Sequence, residues 1–317
     1  MTSDSPEQRP RLSIVIPVYN SEDLVAATVD RTVSYLAAEG FPFEIILVND
    51  GSTDGSWKVI ADKAGRDDRL VAIDLLQNYG QHTAVFAGLR ESDGDYAITM
   101  DDDQQNPPEE IGKLVAKAEE GFDLVIGRFR QKAHRLYRRL GTRLVGWMNK
   151  RIFGKPDDFV LTNFRCIRRD VVERMVSYRT AYPYIPGLAL MFSADRANTW
   201  VEHHPRPAGK SNYSFARIVA VVLRILFNYS SFPLRFVSLL GLIITAFSFG
   251  LTAFLLVKAL VVGTSVPGWA SVAVLLSFFN GMSLLILSML GEYTVRLLNQ
   301  SSQTDPYHVK ATVGRHA

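Results

Sequence analysis

The sequence contains a single cysteine, Cys166, among its 317 residues. One cysteine excludes an internal disulfide and any metal cage made only of cysteines, which is typical of a protein kept in a reducing compartment. The chain also lacks a strong charge imbalance, since its formal net charge is +3, so nucleic acid is not an expected partner. No apolar run opens the chain, because residues 1–11 are polar and interrupted by proline, and this pattern predicts no secretory signal.

The first 130 residues alternate short apolar runs with longer amphipathic stretches. The runs are rich in Val, Ile and Leu and predict buried strands at 12–18, 44–48, 70–75, 96–100 and 124–126. The intervening stretches predict helices at 23–39, 55–64, 82–91 and 108–120. This alternation indicates an α/β protein with a mostly parallel, twisted sheet and helices on both faces. Ligands of such sheets bind beyond the carboxyl ends of the strands, so the residues after each strand are candidate site residues.

Two long apolar runs, 236–257 and 270–290, lie near the C-terminus. Each exceeds the roughly 20 residues that cross a bilayer as a helix, and neither has a polar face, so a two-helix transmembrane hairpin is expected. The short connection 258–269 carries one basic residue, Lys258, whereas several arginines and lysines flank the hairpin. The positive-inside rule then places the sheet domain and both termini in the cytoplasm.

Two basic amphipathic segments are candidates for contact with the membrane surface. Leu136, Leu140, Leu144, Trp147 and Met148 share one helical stripe in the first segment. The second segment, 214–232, has a similar apolar stripe just before the hairpin. Basic helices with an aromatic residue suit an anionic lipid surface, and packing against the sheet is an equally good interpretation.

An acidic triplet follows the predicted strand 96–100. Asp101, Asp102 and Asp103 come directly after it, and Gln105 lies two residues further on. In an extended segment alternate side chains share a face, so Asp101, Asp103 and Gln105 are expected to point together and Asp102 to point away. Two carboxylates and an amide oxygen form a partial cage of the kind that Mg²⁺ or Mn²⁺ prefers. The alternative is an acidic turn that caps the next helix.

Polar residues also follow two other predicted strands. Asp50 comes after the strand 44–48, and Gly51 permits a tight turn there. The Asp50 carboxylate is therefore expected to accept a hydrogen bond from the N–H edge of a nucleotide base, a structural role in the turn being the alternative. Tyr19 and Asn20 bring an aromatic ring and an amide to the end of the first strand. Three polar strand ends at one edge of a sheet predict a site.

The segments that carry these residues resemble the signature blocks of family 2 inverting glycosyltransferases with the GT-A fold. The matching blocks are 16–20, 48–55, 78–88 and 100–109. Residues 206–214, 233–235 and 290–293 are similar to the polyprenyl-phosphate glycosyltransferase branch. That branch includes dolichyl-phosphate mannose synthase, the bactoprenol glucosyltransferases and the undecaprenyl-phosphate aminoarabinose transferase. The resemblance covers nearly the whole chain and is strongest to the bacterial members with two spans.

The resemblance implies a role for individual residues. Those matched to the nucleotide sugar are Pro17, Tyr19, Asn20, Glu22, Asp50, Gln81, Asp101 and Asp102. Those matched to the metal, Mg²⁺ or Mn²⁺, are Asp101, Asp103 and Gln105. The implied catalytic set is Asp103, Arg128 near the diphosphate, Arg206 at the acceptor phosphate, and Lys210. The sequence departs from the family pattern in two places. The lysine of a frequent Gly-Glu-Ser-Lys-Tyr block lies two places earlier here, at Lys210. Asn49 replaces a frequent acid before Asp50.

The implied reaction transfers one sugar from a nucleotide sugar, with uridine the favoured base, to a polyprenyl (undecaprenyl) phosphate at the cytoplasmic leaflet of the bacterial inner membrane. A metal ion would stabilise the departing diphosphate, and the basic stretch 128–155 would offset the repulsion between the two anions. The acceptor phosphate is already ionised near pH 7, so no catalytic histidine is expected. His82, His134, His203 and His204 are interpreted as structural or positioning residues. The loop residues expected to close over the donor or to form a turn are Asp157, Asp158, Thr162 and Asn163.

The resemblance implies five segments: a polar tail at 1–10, a catalytic domain at 11–213, an interface helix at 214–232, the hairpin at 233–293 and a cytosolic tail at 294–317. A homo-oligomer, such as a tetramer, is compatible with the small residues in the spans. The alternatives are a processive polysaccharide synthase, which two spans and a missing Gln-x-x-Arg-Trp element disfavour, and a catalytically silent nucleotide-sugar-binding scaffold.

Overall fold

The computed structural model describes residues 9–129, 136–180, 182–204, 222–226, 228–230, 232–263, 268–301 and 305–314. The chain divides into two units. The sheet unit comprises Met1–Ile218 together with Thr304–Ala317, and the hairpin unit comprises Val219–Gln303.

The sheet unit contains one eight-stranded sheet. In chain order the strands are β1 Leu12–Val18, β2 Phe43–Asn49, β3 Leu70–Leu75, β4 Tyr96–Thr99, β5 Leu124–Arg128, β6 Arg165–Arg168, β7 Arg196–Trp200 and β8 Val309–Gly314. The helices are α1 Glu22–Ala38, α2 Ser56–Ala64, α3 Gln81–Glu91, α4 Ile111–Glu119, α5 Leu136–Phe153, α6 Arg169–Ser177 and α7 Ile185–Phe192, with a short 3₁₀ turn at Pro108–Glu110.

The strands are ordered β7-β5-β6-β4-β1-β2-β3-β8. Strand β1 pairs parallel with β2 and β4, β2 with β3, and β5 with β7. Strands β6 and β8 are antiparallel to their neighbours. The central strands are fully buried, as expected where helices cover both faces of a sheet, because their side chains meet an apolar layer on either side.

The last strand comes from the C-terminal segment, which the sequence analysis treated as a tail. Strand β8 pairs antiparallel with β3 and so occupies the edge of the sheet. Tyr307, just before the strand, is buried. A guanidinium nitrogen of Arg90 lies 2.7 Å from a carboxylate oxygen of Asp305 and forms an ion pair with it. At the same edge Lys310 lies 3.2 Å from the buried carboxylate of Asp74. The chain therefore leaves the sheet unit, forms the hairpin unit and returns to complete the sheet.

The hairpin unit consists of two helices, Phe232–Val262 and Trp269–Ser301. Small residues allow the two helices to approach each other closely. The Thr245 hydroxyl donates to the carbonyl of Gly281 at 3.0 Å. A Cβ at Gly241 would lie 3.0 Å from the Ser288 hydroxyl oxygen. Among the described residues, one segment, Ser271–Val295, is long and apolar enough to cross a bilayer. The span predicted at 236–257 falls in the first helix, where the shorter apolar stretch Leu239–Leu251 is found.

Candidate active site at the carboxyl ends of strands β1 and β4

The candidate site lies where the strand order of the sheet reverses. From β1 the chain continues to β2 and β3 on one side, whereas β4 lies on the other side of β1. The loops after β1 and β4 diverge at such a point and leave a crevice that binds ligands in open α/β sheets. A small crevice is present there. Its lining residues are Pro17, Gln81, His82, Val85, Thr99, Met100, Asp101, Asn163 and Arg165.

The acidic segment is bent, which corrects the expectation that it continues the strand. Strand β4 ends at Thr99, and bends follow at 102–104, where Gln104 has a φ of +60°. The alternation of side chains in an extended chain therefore does not apply. The Thr28 hydroxyl on α1 donates to the carbonyl of Asp102 at 2.9 Å, and the His204 N–H donates to the carbonyl of Gln105 at 3.0 Å. Neighbouring elements thus set the path of this segment.

Asp102, in the middle of the acidic triplet, has an exposed fraction of 9%. Burial raises the pKa of Asp102 to about 7, and the charges of Asp101 and Asp103 act in the same direction, whereas a hydrogen bond from Ser21 opposes the shift. Its Oδ2 atom is buried and has no hydrogen-bond partner. Burial and the hydrogen bond from Ser21 indicate a structural role for Asp102. Its contact with the nucleotide stays a prediction.

Asp101 and Asp103 have different surroundings. The carboxylate of Asp101 accepts hydrogen bonds from the side-chain amides of Gln81 and Asn163, the latter at 3.2 Å. Asp103 is largely buried, and its Oδ1 accepts the backbone N–H of Gln105 at 3.2 Å. Both carboxylates among the predicted metal ligands thus accept hydrogen bonds from amide N–H groups.

The chemistry of these donors fits a hard divalent cation, since carboxylate and amide oxygens are the ligands of Mg²⁺ and Mn²⁺. Within the part of the chain that the structure describes, no three His, Cys, Asp or Glu side chains are grouped to hold a metal ion. The acidic segment therefore offers a partial ligand set. A partial set fits a cation that takes its remaining ligands from a bound diphosphate and water.

Asp50 anchors the loop that precedes α3. It is 3% exposed, and its carboxylate accepts the backbone N–H groups of Tyr79 at 2.7 Å and Gly80 at 3.0 Å. Burial raises the pKa of Asp50 to about 6, although these two hydrogen bonds act against the shift. Gly51 has a φ of +64°, and a Cβ there would overlap the backbone of residues 77–78, so this close approach requires glycine. The predicted contact between Asp50 and a base stays a prediction.

Asn20 and Glu22 connect the loop after β1 to the loop after β2. The Asn20 side-chain oxygen accepts the N–H of Thr53 at 2.9 Å, and the Glu22 carboxylate accepts the N–H of Gly55 at 2.8 Å. Both side chains therefore brace two loops of the site against each other. Tyr19, in contrast, is 49% exposed and presents an aromatic face on which a planar ring can stack.

Arg128 belongs to β5 and lies two residues beyond the predicted end of this strand. Its guanidinium carbon lies 4.7 Å from the ring centre of Trp200 at the end of β7. Such a cation–π contact restricts the orientation of the guanidinium. No role was predicted for Trp200. It lies beside Arg128 because β5 and β7 pair in parallel, and these strands are far apart in the chain.

Several predicted residues lie outside the described residues. These are Arg206, Lys210, His134 and most of the predicted interface helix at 214–232. At the end of α5 the predicted apolar stripe is divided, because Met148 is buried whereas Trp147 is 60% exposed. In the loop before β6, Thr162 donates to the carbonyl of Gly127. Asp157 pairs with Lys150 at the surface.

Strand β6 brings two further polar residues to the crevice. Asn163, predicted only as part of a loop, donates to Asp101, and Arg165, for which no role was predicted, is 2% exposed. The Arg165 guanidinium donates to the carbonyl of Thr162 at 2.7 Å and to the Asn163 side-chain oxygen at 3.1 Å. The sequence feature that indicates this role is an arginine between apolar Phe164 and Cys166. An arginine that is buried in a strand needs a partner for its charge.

His82 is a half-buried, neutral side chain of the crevice wall. Its ring meets the Tyr184 ring edge to face, with 5.1 Å between centres. The pKa of His82 is lowered to about 3, mainly by burial and also by the positive charge of Arg165. The imidazole is therefore uncharged near pH 7.

Comparison with known proteins gives a consistent assignment. The model of glycosyl transferase family 2 matches residues 13–179. Over 307 residues the chain is 34% identical to the undecaprenyl-phosphate 4-deoxy-4-formamido-L-arabinose transferase of Proteus mirabilis, covering 96% of this chain and 94% of that protein. The transferase of the same name from Yersinia enterocolitica is 36% identical over 317 residues, covering 97% and 95%.

Solved structures share the fold of the sheet unit. One is glucosyl-3-phosphoglycerate synthase from Mycobacterium tuberculosis in complex with Mn²⁺, UDP-glucose and phosphoglyceric acid, with a TM-score of 0.50 and 18% identity. The match covers 69% of this chain and 78% of that structure. The complex of the same enzyme with UDP gives the same TM-score, identity and coverage. The predicted fold class, a GT-A domain with a mostly parallel sheet, is confirmed.

Proposed function

Because the chain belongs to glycosyl transferase family 2, we propose that it transfers one sugar, with inversion, from a nucleotide-sugar donor to the phosphate of undecaprenyl phosphate. The observation that carries the proposal is the acidic segment at the switch point of the sheet. Similarity to undecaprenyl-phosphate transferases over 96% of the chain supports the acceptor. The names of these relatives make 4-deoxy-4-formamido-L-arabinose the first sugar to test. The preference for uridine that the sequence resemblance implies makes UDP the first nucleotide.

The donor would bind across the crevice between the loops after β1 and β4. Tyr19 offers its exposed ring to the base, and Pro17 and Gln81 line the crevice below it. Asp101, Asp103 and Gln105 would hold Mg²⁺ or Mn²⁺. The bound cation would supply charge neutralisation to the departing diphosphate. Arg128, held over Trp200, would add two parallel hydrogen bonds to the same phosphate oxygens.

The acceptor needs little proton transfer, because a phosphate monoester is mostly ionised near pH 7. The surroundings of His82 support this scheme, since burial keeps its ring neutral and packed against Tyr184. Arg206 and Lys210 remain the proposed contacts of the acceptor phosphate.

The topology of the chain supports two membrane spans. Strands β3 and β8 pair in one sheet, and strands of one sheet lie on one side of a bilayer, so the chain crosses the membrane an even number of times between them. If Ser271–Val295 crosses the membrane, the preceding helix Phe232–Val262 must cross in the other direction. An even number of crossings puts the sheet unit and both termini on one side of the bilayer, and the basic residues that flank the hairpin favour the cytoplasmic face of a bacterial inner membrane.

The function is tested with the purified full-length chain, undecaprenyl phosphate, Mn²⁺ or Mg²⁺, and a panel of labelled nucleotide sugars. We expect one sugar per lipid with one member of the panel. Chain growth would instead identify a processive polysaccharide synthase, and donor binding without any lipid product across the panel would identify a silent binding scaffold. Either of these results overturns the proposal.

A further inference from the structure

A buried arginine lies beside the acidic segment on the neighbouring strand. Strands β4 and β6 pair antiparallel with Thr99 opposite Arg165, so the residues just before β6 lie next to those just after β4. Arg165 is 2% exposed, and a guanidinium is stable in such a place only when its donors and its charge are satisfied. The negative charge of Asp101 in the crevice interacts with it electrostatically.

Asn163 connects the arginine to the acid. Its side-chain oxygen accepts from Arg165 at 3.1 Å, and its side-chain nitrogen donates to Asp101 at 3.2 Å. A guanidinium can only donate and a carboxylate can only accept, so the amide of Asn163 fits in one orientation alone. The backbone is fixed as well, because the Thr99 hydroxyl donates to the carbonyl of Asn163 at 2.6 Å.

The same carboxylate also accepts a hydrogen bond from the side-chain amide of Gln81, at the first turn of α3. Asp101 therefore meets amide donors from two separate elements while it stands beside two further acids. Donors of this kind restrict the rotation of a carboxylate and leave a defined direction for another ligand. A buried positive charge on β6 also offsets part of the repulsion within the triplet.

We propose that Asn163 and Arg165 form a positioning pair that fixes the carboxylate of Asp101 for cation binding. The inference rests on the proposed function, because it takes Asp101 as a ligand of the divalent ion. Arg165 acts through Asn163 and not by contact with the substrate, so it is a positioning residue. A purely structural role, in which Arg165 only secures the carbonyl of Thr162, would leave cation affinity unchanged.

The test measures Mn²⁺ binding to the full-length chain in detergent, with free Mn²⁺ quantified by electron paramagnetic resonance. The variants are Asn163→Ala, Arg165→Lys, the double variant and Asp101→Ala. Arg196→Lys is the matched control, since Arg196 is a half-buried arginine whose guanidinium also donates to backbone carbonyls, those of Leu190 and Ser193. The melting temperature of each variant reports folding separately from binding.

We expect each single variant to weaken Mn²⁺ binding about tenfold, the usual effect of removing a partner of a metal ligand. The double variant should also lose about tenfold and not a hundredfold, because both changes break one connection. Arg196→Lys should bind as the wild type does. If Arg165→Lys does not fold, Asn163→Ala decides the question alone.

Two kinds of failure are distinguishable. Wild-type affinity in Asn163→Ala, combined with weakened binding in Asp101→Ala, overturns the positioning pair and leaves the proposed function in place. Multiplying effects in the double variant also overturn it, because they show that the two residues act independently. A wild-type chain that binds no Mn²⁺, or an Asp101→Ala variant that binds it normally, overturns the metal role of Asp101 and the inference together.

Discussion

At the scale of single residues, one carboxylate oxygen of Asp103 accepts the backbone N–H of Gln105, and the role proposed for Asp103 rests on its charge. Asp103→Asn keeps the size and the acceptor oxygen but removes the charge that a divalent cation requires. We expect sugar transfer to fall on the order of 100-fold or more, with the chain still folded and membrane-bound. Labelled lipid product measures the loss, and the melting temperature measures folding.

The control for Asp103 is Asp62→Asn, an exposed aspartate of α2 paired with Arg66 on the next turn. It makes the same chemical change at the surface, so transfer should remain at the wild-type rate. Equal turnover in the Asp103 and Asp62 variants would contradict the proposed metal role.

Asp50 makes stability depend on pH. Burial raises its pKa to about 6, above the value of about 3.9 for an unfolded aspartate. Between these two values the folded chain binds more protons than the unfolded chain, so stability falls as the pH rises from 4 to 6, on the order of 3 kcal/mol in all. Asn at this position does not titrate. The melting temperature of the wild type, relative to Asp50→Asn, should therefore decrease across this range, and a constant or increasing difference would refute the assignment.

Sequence patterns identified the acidic residues of the site more readily than their surroundings. Asp101 stands directly after an apolar run and Asp50 stands one residue after another, and these positions are visible in the sequence. Arg165 and Trp200 reach the site through pairings between distant strands, which no local pattern encodes. The bend after β4 was equally hidden, because the hydroxyl of Thr28 on α1 helps to set it.

At the scale of elements, β8 holds a buried carboxylate of the sheet. Asp74 accepts from the Asn49 side chain at 2.7 Å and lies 3.2 Å from Lys310 on β8. Lys310→Met removes the charged partner, and since Lys310 is mostly exposed the expected cost is about 1 kcal/mol. A loss of this size lowers the melting temperature by about 2–4 °C. Lys58→Met, on the exposed side of α2, is the control and should leave the melting temperature unchanged.

The elements of the first half of the sheet unit were predictable because each has a clear period and length. Strand β1 and helix α2 lie within one residue of their predicted bounds. Strands β6 and β7 are only four and five residues long and carry arginines, so their composition does not indicate a strand. Strand β8 is partly exposed at the edge of the sheet, where burial imposes little pattern.

At the scale of the whole molecule, the even number of crossings predicts which parts of the chain a reagent can reach. Cys166, the one cysteine, is buried, and burial raises the pKa of its thiol, so it contributes little background labelling. Ser265→Cys, in the connection between the two helices, should react with a membrane-impermeant maleimide added to intact cells. Asp62→Cys in the sheet unit should react only after the membrane is permeabilised. Labelling of both, or of neither, in intact cells would contradict the two-span topology.

The position of β8 also determines when the sheet can be finished during synthesis. The edge strand is translated after both hairpin helices, so the nascent sheet waits with β3 uncovered until the membrane segments have left the ribosome. A fragment ending before the hairpin would keep that bare edge permanently and offer it to neighbouring molecules as a pairing partner. Under the proposed two-span topology, insertion into the bilayer and completion of the sheet are consecutive stages of one folding event.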